Sequence, residues 1–156
     1  MAKDHKYHLQ IEWTGNTGVG TKDYKSYGRS LTISAEGKPS LQGSADPSFL
    51  GDKHAWNPEE LLVAALSSCH MLSYLHLCTV AGIVVLNYHD EAEGTMSLEG
   101  GVGRFTNVTL HPTVTISDVS KSDVARELHE KAHKQCFIAN SVNFTVESKP
   151  IIKAES

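Results

Sequence analysis

The chain has only three cysteines in 156 residues, no internal repeat and no low-complexity tract. Three thiols are too few for a disulfide framework. The first residues, Met-Ala-Lys-Asp-His-Lys-Tyr-His, carry no apolar leader, so a cytoplasmic setting and free thiols are expected. Positive charge is also scarce. Fourteen Lys and Arg against eighteen Asp and Glu give a net charge of −4, which argues against a nucleic-acid or membrane-surface partner. No long apolar run is uninterrupted: Leu61 to Val84 is broken by Ser67, Ser68, His70, Ser73, Tyr74, His76 and Thr79. A membrane span needs about 20 predominantly apolar residues, so this stretch reads as a buried core helix. The glycine-rich stretch Gly15 to Gly20 is not followed by Gly-Lys-Ser/Thr and opens no helix, which excludes a phosphate loop.

What is present is the composition of a globular domain, 40% apolar and 21% charged, in a length that favours one domain over residues 1–156. Alternation predicts strands over 7–13 and 24–34, separated by a turn at 14–20, then a short strand at 40–44 and a loop over 46–57. A helix follows, with Asn57 as N-cap, Pro58 at its first position and Glu59 and Glu60 complementing the dipole. It is expected to run to about Ala81, where Gly82 ends it. Being apolar almost all round, it is expected to be covered on several sides. Residues 83–98 and 104–116 read as a long hairpin. A second helix capped by Ser120 or Ser122 should end near Lys134, with a turn at Cys136 to Asn140 and a last strand over 142–152. The order β-β-β-α-β-β-α-β predicts an α+β fold with an antiparallel sheet and a long buried central helix.

The chemistry-bearing residues are the thiols. Cys69 lies within the first helix and Cys78 nine positions on. At about 100° per residue they project from opposite faces and cannot pair with each other. Cys78 reads as a small core residue. Cys136 follows His129, His133 and Lys134 at the end of the second helix and starts a new turn, where backbone N–H groups can stabilise a thiolate. Burial as an inert core residue is the alternative for both Cys69 and Cys136. His129, His133 and Cys136 could contribute to a metal site, but no second Cys/His pair is in register, and no metal is expected. His70 and His76 read as core histidines. A cysteine hydrolase would need a Cys/His context that the sequence does not show.

The run Asn57-Pro58-Glu59-Glu60-Leu61-Leu62-Val63-Ala64-Ala65-Leu66-Ser67-Ser68-Cys69 resembles the helix signature of the OsmC/Ohr family, in which Asn-Pro-Glu opens the central helix and the reactive cysteine lies ten residues after the glutamate. The second family cysteine follows a later helix, as Cys136 does. The resemblance implies an OsmC-like fold, an intertwined homodimer and a thiol peroxidase that reduces organic hydroperoxides. Cys69 would attack the peroxide and Cys136 would resolve the sulfenic acid. Glu59 matches the family glutamate. Arg29 is the candidate for the family arginine, because the loop Asp46-Pro47-Ser48-Phe49-Leu50-Gly51-Asp52 contains none. The resemblance implies no cofactor beyond an external dithiol, supplied by a thiol reductant protein. A non-catalytic or sensory thiol protein that binds an apolar ligand at the dimer interface is the alternative. Glu59 and Cys69 are ten residues apart on one helix, about 15 Å along its axis, so Glu59 could serve only the Cys69 of a second chain.

Overall fold

The structure, a computed structural model, describes residues 2–155 and divides into two compact units, one running to Leu61 and the other starting at Leu62. In the first, β1 (Gln10–Trp13), β2 (Leu31–Ser34) and β3 (Leu41–Gly43) form an antiparallel meander. The strands are shorter than their alternation suggests. Between Gly15 and Gly28 the backbone is held by side chains instead of a ladder: Asn16 Oδ1 accepts from Gly18 and Gly20 N–H, and the Ser26 hydroxyl accepts from Asp23 N–H. Such local bonds compete with strand pairing and delay β2 to Leu31. Trp13 Nε1 donates to the Gly28 carbonyl at 2.9 Å and closes the loop.

Helix α1 runs Pro58–Val80, and the division between the units falls within its first turn. Its start follows the sequence. Asn57 Oδ1 accepts from Glu60 N–H at 2.9 Å, and Glu60 Oε2 accepts from Asn57 N–H at 3.2 Å, a reciprocal capping box. Its end is a Schellman turn. Gly82 sits at φ +67°, and the N–H groups of Gly82 and Ile83 reach the carbonyls of Thr79 and Cys78. Cover on several sides is not what this chain provides. The buried residues Leu66, His70, Tyr74, Leu77 and Cys78 form one stripe, while Leu72 and Val80 are 62% and 73% exposed.

The second unit holds two three-stranded sheets. One has the order β4 (Val85–Asp90), β7 (Pro112–Ile116), β9 (Ile151–Ala154). The other has β5 (Glu93–Glu99), β6 (Val102–Leu110), β8 (Thr145–Ser148). Each of the three expected long strands is therefore two strands in different sheets. The breaks fall at Glu91–Ala92, at His111 and at Lys149–Pro150. Asp90 Oδ1 accepts the His111 N–H at 2.7 Å, and Pro150 has no N–H to offer a ladder. The expectation of an antiparallel sheet is corrected too. β4–β7 and β5–β6 are antiparallel, but β6–β8 and β7–β9 are parallel, with helix α2 (Ser122–Gln135) in the crossover that parallel pairing requires. Neither Ser120 nor Ser122 caps α2. Asp118 takes the Ser120 N–H and starts a 3-10 turn, Val119–Lys121, that feeds the helix without a side-chain cap.

The α1 stripe divides between two cores. Tyr74, Leu77 and Cys78 pack with Ile83, Val114, Ile116, Ala125 and Ala132. Leu66 packs with Val108 and Leu110. Full burial of each such leucine contributes roughly 2 kcal/mol.

Candidate functional site

Cys69 and Cys136 are brought together. Cys69 is half-buried on α1, Cys136 is 1% exposed at the C-terminal end of α2, and the Cys69 thiol lies near enough to Cys136 to raise its pKa. Local structure fixes Cys136. Its carbonyl accepts the Asn140 N–H at 3.0 Å, and its Sγ accepts the Ala139 N–H at 3.4 Å. The N–H groups expected at this turn are therefore present, but they do not prevail. Burial pushes the Cys136 thiol up to about 11, the Ala139 N–H opposes that rise, and neighbouring Cys69 adds to it. Cys136 is thus a protonated thiol at neutral pH. Cys78 projects from the other face into the core beside Tyr74, where burial raises its pKa; it takes no part in the pair.

Beside Cys69, residues three, four and seven positions further along α1 (Leu72, Ser73 and His76) line a cleft of about 610 Å³. Lys134 and the 80% exposed Phe137 close its other side. Leu66 is not part of this opening, as it belongs to the core. His76 is exposed, whereas His70 is the core histidine expected.

His70 has a partner that sequence reasoning did not find. Its Nε2 lies 2.9 Å from Nδ1 of His129 on α2, and both residues are 2% exposed. The Tyr74 ring stacks on His129 at 3.8 Å, and its hydroxyl donates to the Ala125 carbonyl. Burial holds both imidazoles well below the ordinary histidine range, His70 at about 4 and His129 at about 3. Asp90 partly offsets the effect at His70, and each imidazole sits near another histidine that lowers it further. The pair joins the helix bearing Cys69 to the helix that ends at Cys136. The positions are 59 residues apart, and the only sequence signal is the adjacency of His70 to Cys69. Asp90 is fixed in turn, with Oδ2 accepting from the Ser67 hydroxyl.

Arg29 and Glu59 lie in the first unit. Arg29 is not on a strand; it precedes β2 and is engaged locally. Its Nη1 and Nη2 donate to the Tyr27 and Tyr24 carbonyls, and its guanidinium lies over both rings at 4.0 and 4.5 Å. Glu59 has one buried carboxylate oxygen, Oε2, with no hydrogen-bond partner among the described residues. Among the described residues no cluster of three His, Cys, Asp or Glu could hold a metal ion; His129 is buried in its histidine pair and His133 is exposed.

The chain is 32% identical to an OsmC-like protein of unknown function from Vibrio cholerae. That structure superposes with a TM-score of 0.86 over 95% of this chain and 100% of the other. It is 26% identical to the uncharacterized protein YmaD of Bacillus subtilis, covering 92% of this chain and 91% of that one. An organic hydroperoxide resistance protein from Elizabethkingia anophelis shares the fold at 19% identity, with a TM-score of 0.68 over 98% of this chain and all of the other. The sequence profile of the OsmC-like protein family matches residues 51–149. That stretch contains the capped helix, Cys69 and Cys136, and every strand of the second unit except β9, and the chain belongs to the OsmC-like family.

Proposed function

We propose that the protein is a thiol-dependent peroxidase that reduces organic hydroperoxides through Cys69 and Cys136. The observation that carries this reading is the proximity of two thiols 67 positions apart, one half-exposed beside a cleft and the other buried and protonated. In the proposed reaction the Cys69 thiolate attacks the terminal peroxide oxygen. The O–O bond breaks, the alcohol leaves with a proton, and Cys69 becomes a sulfenic acid. The Cys136 sulfur then attacks the Cys69 sulfur. The Cys136 proton and the sulfenic hydroxyl leave as water, and a disulfide remains. An external dithiol restores both thiols by exchange, and a cytoplasmic thiol reductant protein is the partner this step calls for. The apolar groups Leu72 and Phe137 at the cleft favour alkyl or fatty-acyl hydroperoxides over hydrogen peroxide.

The active assembly is proposed to be a homodimer. Leu72 and Val80 leave apolar surface of α1 open, and Glu59 carries an unpartnered buried oxygen, features that a second chain packed on α1 would account for. Arg29 remains the candidate that the family resemblance offers for the cation steadying the Cys69 thiolate, and its own plane is fixed by the Tyr24 and Tyr27 carbonyls. The same engagement of Arg29 is what favours the alternative, a non-catalytic or sensory thiol protein that binds an apolar ligand. Cumene hydroperoxide separates the two. One equivalent added to reduced protein should give a Cys69–Cys136 disulfide by peptide mapping, with turnover when dithiol is supplied. A bridge through Cys78, or no bridge, would remove the peroxidase reading, and equal or better rates with hydrogen peroxide would remove the preference for organic hydroperoxides. Subunit exchange between Cys69→Ser and Glu59→Ala chains should restore activity in the mixed dimer.

A further inference from the structure

Helix α2 lines a second cleft that neither Cys69 nor Cys136 enters. Arg126, His129, Glu130 and His133 follow at three-, four- and seven-residue spacing and so share one face of the helix. With Lys134, Val146, Ser148 and Pro150 they enclose about 440 Å³ beside β8. Two polar atoms in this wall are buried and have no hydrogen-bond partner among the described residues: Nε2 of His129 and the hydroxyl of Ser148. His129 is 2% exposed, and its Nδ1 is turned to His70 on α1, which leaves Nε2 facing away from that helix. Leaving two such atoms unsatisfied is costly, and a native site supplies a partner for them.

The surrounding charge indicates the partner's sign. Arg126 and Lys134 outnumber Glu130, and among the described residues the only ion pair of Arg126 is a loose 3.5 Å contact with exposed Asp123. Because burial keeps His129 uncharged, it offers one N–H at most. The walls contributed by Val146 and Pro150 are apolar. We propose that this cleft binds a small monocarboxylate with an apolar body, whose two oxygens accept from the Ser148 hydroxyl and His129 Nε2–H while its charge faces Arg126 and Lys134. Two buried donors match two carboxylate oxygens. A phosphate dianion would leave most of its oxygens desolvated and unpaired. The assignment also fixes the buried tautomer: His70 Nε2–H donates and His129 Nδ1 accepts.

Benzoate is the probe, with benzamide and phenyl phosphate as comparisons, titrated calorimetrically into the full-length protein. Benzoate should bind saturably, and the histidine ¹⁵N spectrum should report a protonated Nε2 on His129 in the complex. Ser148→Ala and Arg126→Ala should each weaken benzoate by about tenfold, the scale of losing one hydrogen bond to a charged group. Cys69→Ser should leave binding unchanged. The proposal is overturned if benzoate does not saturate, if both variants bind like the wild type, if benzamide or phenyl phosphate binds more tightly, or if Cys69→Ser abolishes binding.

Discussion

Replacing the buried imidazole pair with His70→Gln and His129→Gln together should make the fold indifferent to mild acid. Both folded pKa values are depressed, to about 4 and about 3, from an ordinary 6.5. At pH 5 an unfolded chain therefore binds nearly two more protons than the folded one at these positions. Stability is fully present above pH 6.5 and falls as pH drops toward 4, because the side that binds more protons is favoured by acid. Each histidine costs about 2 kcal/mol between pH 7.5 and pH 5, and the pair about 4 kcal/mol, from 1.36 kcal/mol per pKa unit over the 1.5 units below 6.5. That is a large share of a typical 5–15 kcal/mol. Both rings are almost wholly buried, so solvent screening does little to reduce the figure. Urea unfolding at pH 7.5, 6 and 5 measures the effect. The wild type should lose about 4 kcal/mol more than the double variant across that range. Parallel pH dependence in the two proteins would refute the assignment of neutral buried imidazoles.

Three further perturbations test other parts of the structure. Cys136, with a pKa near 11, should react with iodoacetamide at pH 8 at least about 100-fold more slowly than an ordinary cysteine, read by timed alkylation and peptide mass spectrometry. Asn57→Ala removes one half of the capping box and should cost about 1 kcal/mol in denaturant unfolding, with Asn57→Asp close to wild type. Gly94→Ala would place a Cβ 2.8 Å from Phe105 Cε1 and Val63 Cγ2, and should cost about 1–3 kcal/mol and lower the melting temperature.

Local signals in the sequence were sufficient where structure is local. Asn57, Pro58 and Glu60 specify the start of α1, Gly82 its end, and the opposite facing of Cys69 and Cys78 follows from helix geometry alone. The family motif pointed to Cys69 and Cys136, and the fold places them near each other. Pairing between distant segments was not legible. Alternation over 83–98 identifies extended chain but says nothing about which sheet receives it, so the jumps at Glu91 and His111 and the parallel partners β8 and β9 were missed. The sequence left Cys136 open between a stabilised thiolate and a buried thiol, and burial, a property of the whole fold, decides for the latter by outweighing the N–H groups that the local sequence supplies. The contact between His70 and His129 depends on how α1 and α2 pack, which no spacing encodes.

The parallel pairings β6–β8 and β7–β9 share one connection, and that connection contains α2 and Cys136. During synthesis both sheets of the second unit therefore lack their last strand until the chain beyond α2 has emerged. Contacts across such separations close slowly, because the loop must be ordered before its pairing is gained. A growing chain would carry Cys69 on an early, well-capped helix for some time before Cys136 is clamped opposite it by strands on both sides of α2. Completion of the fold is thus also the event that pairs the thiols, and oxidants meeting the nascent chain would find Cys69 without its resolving partner.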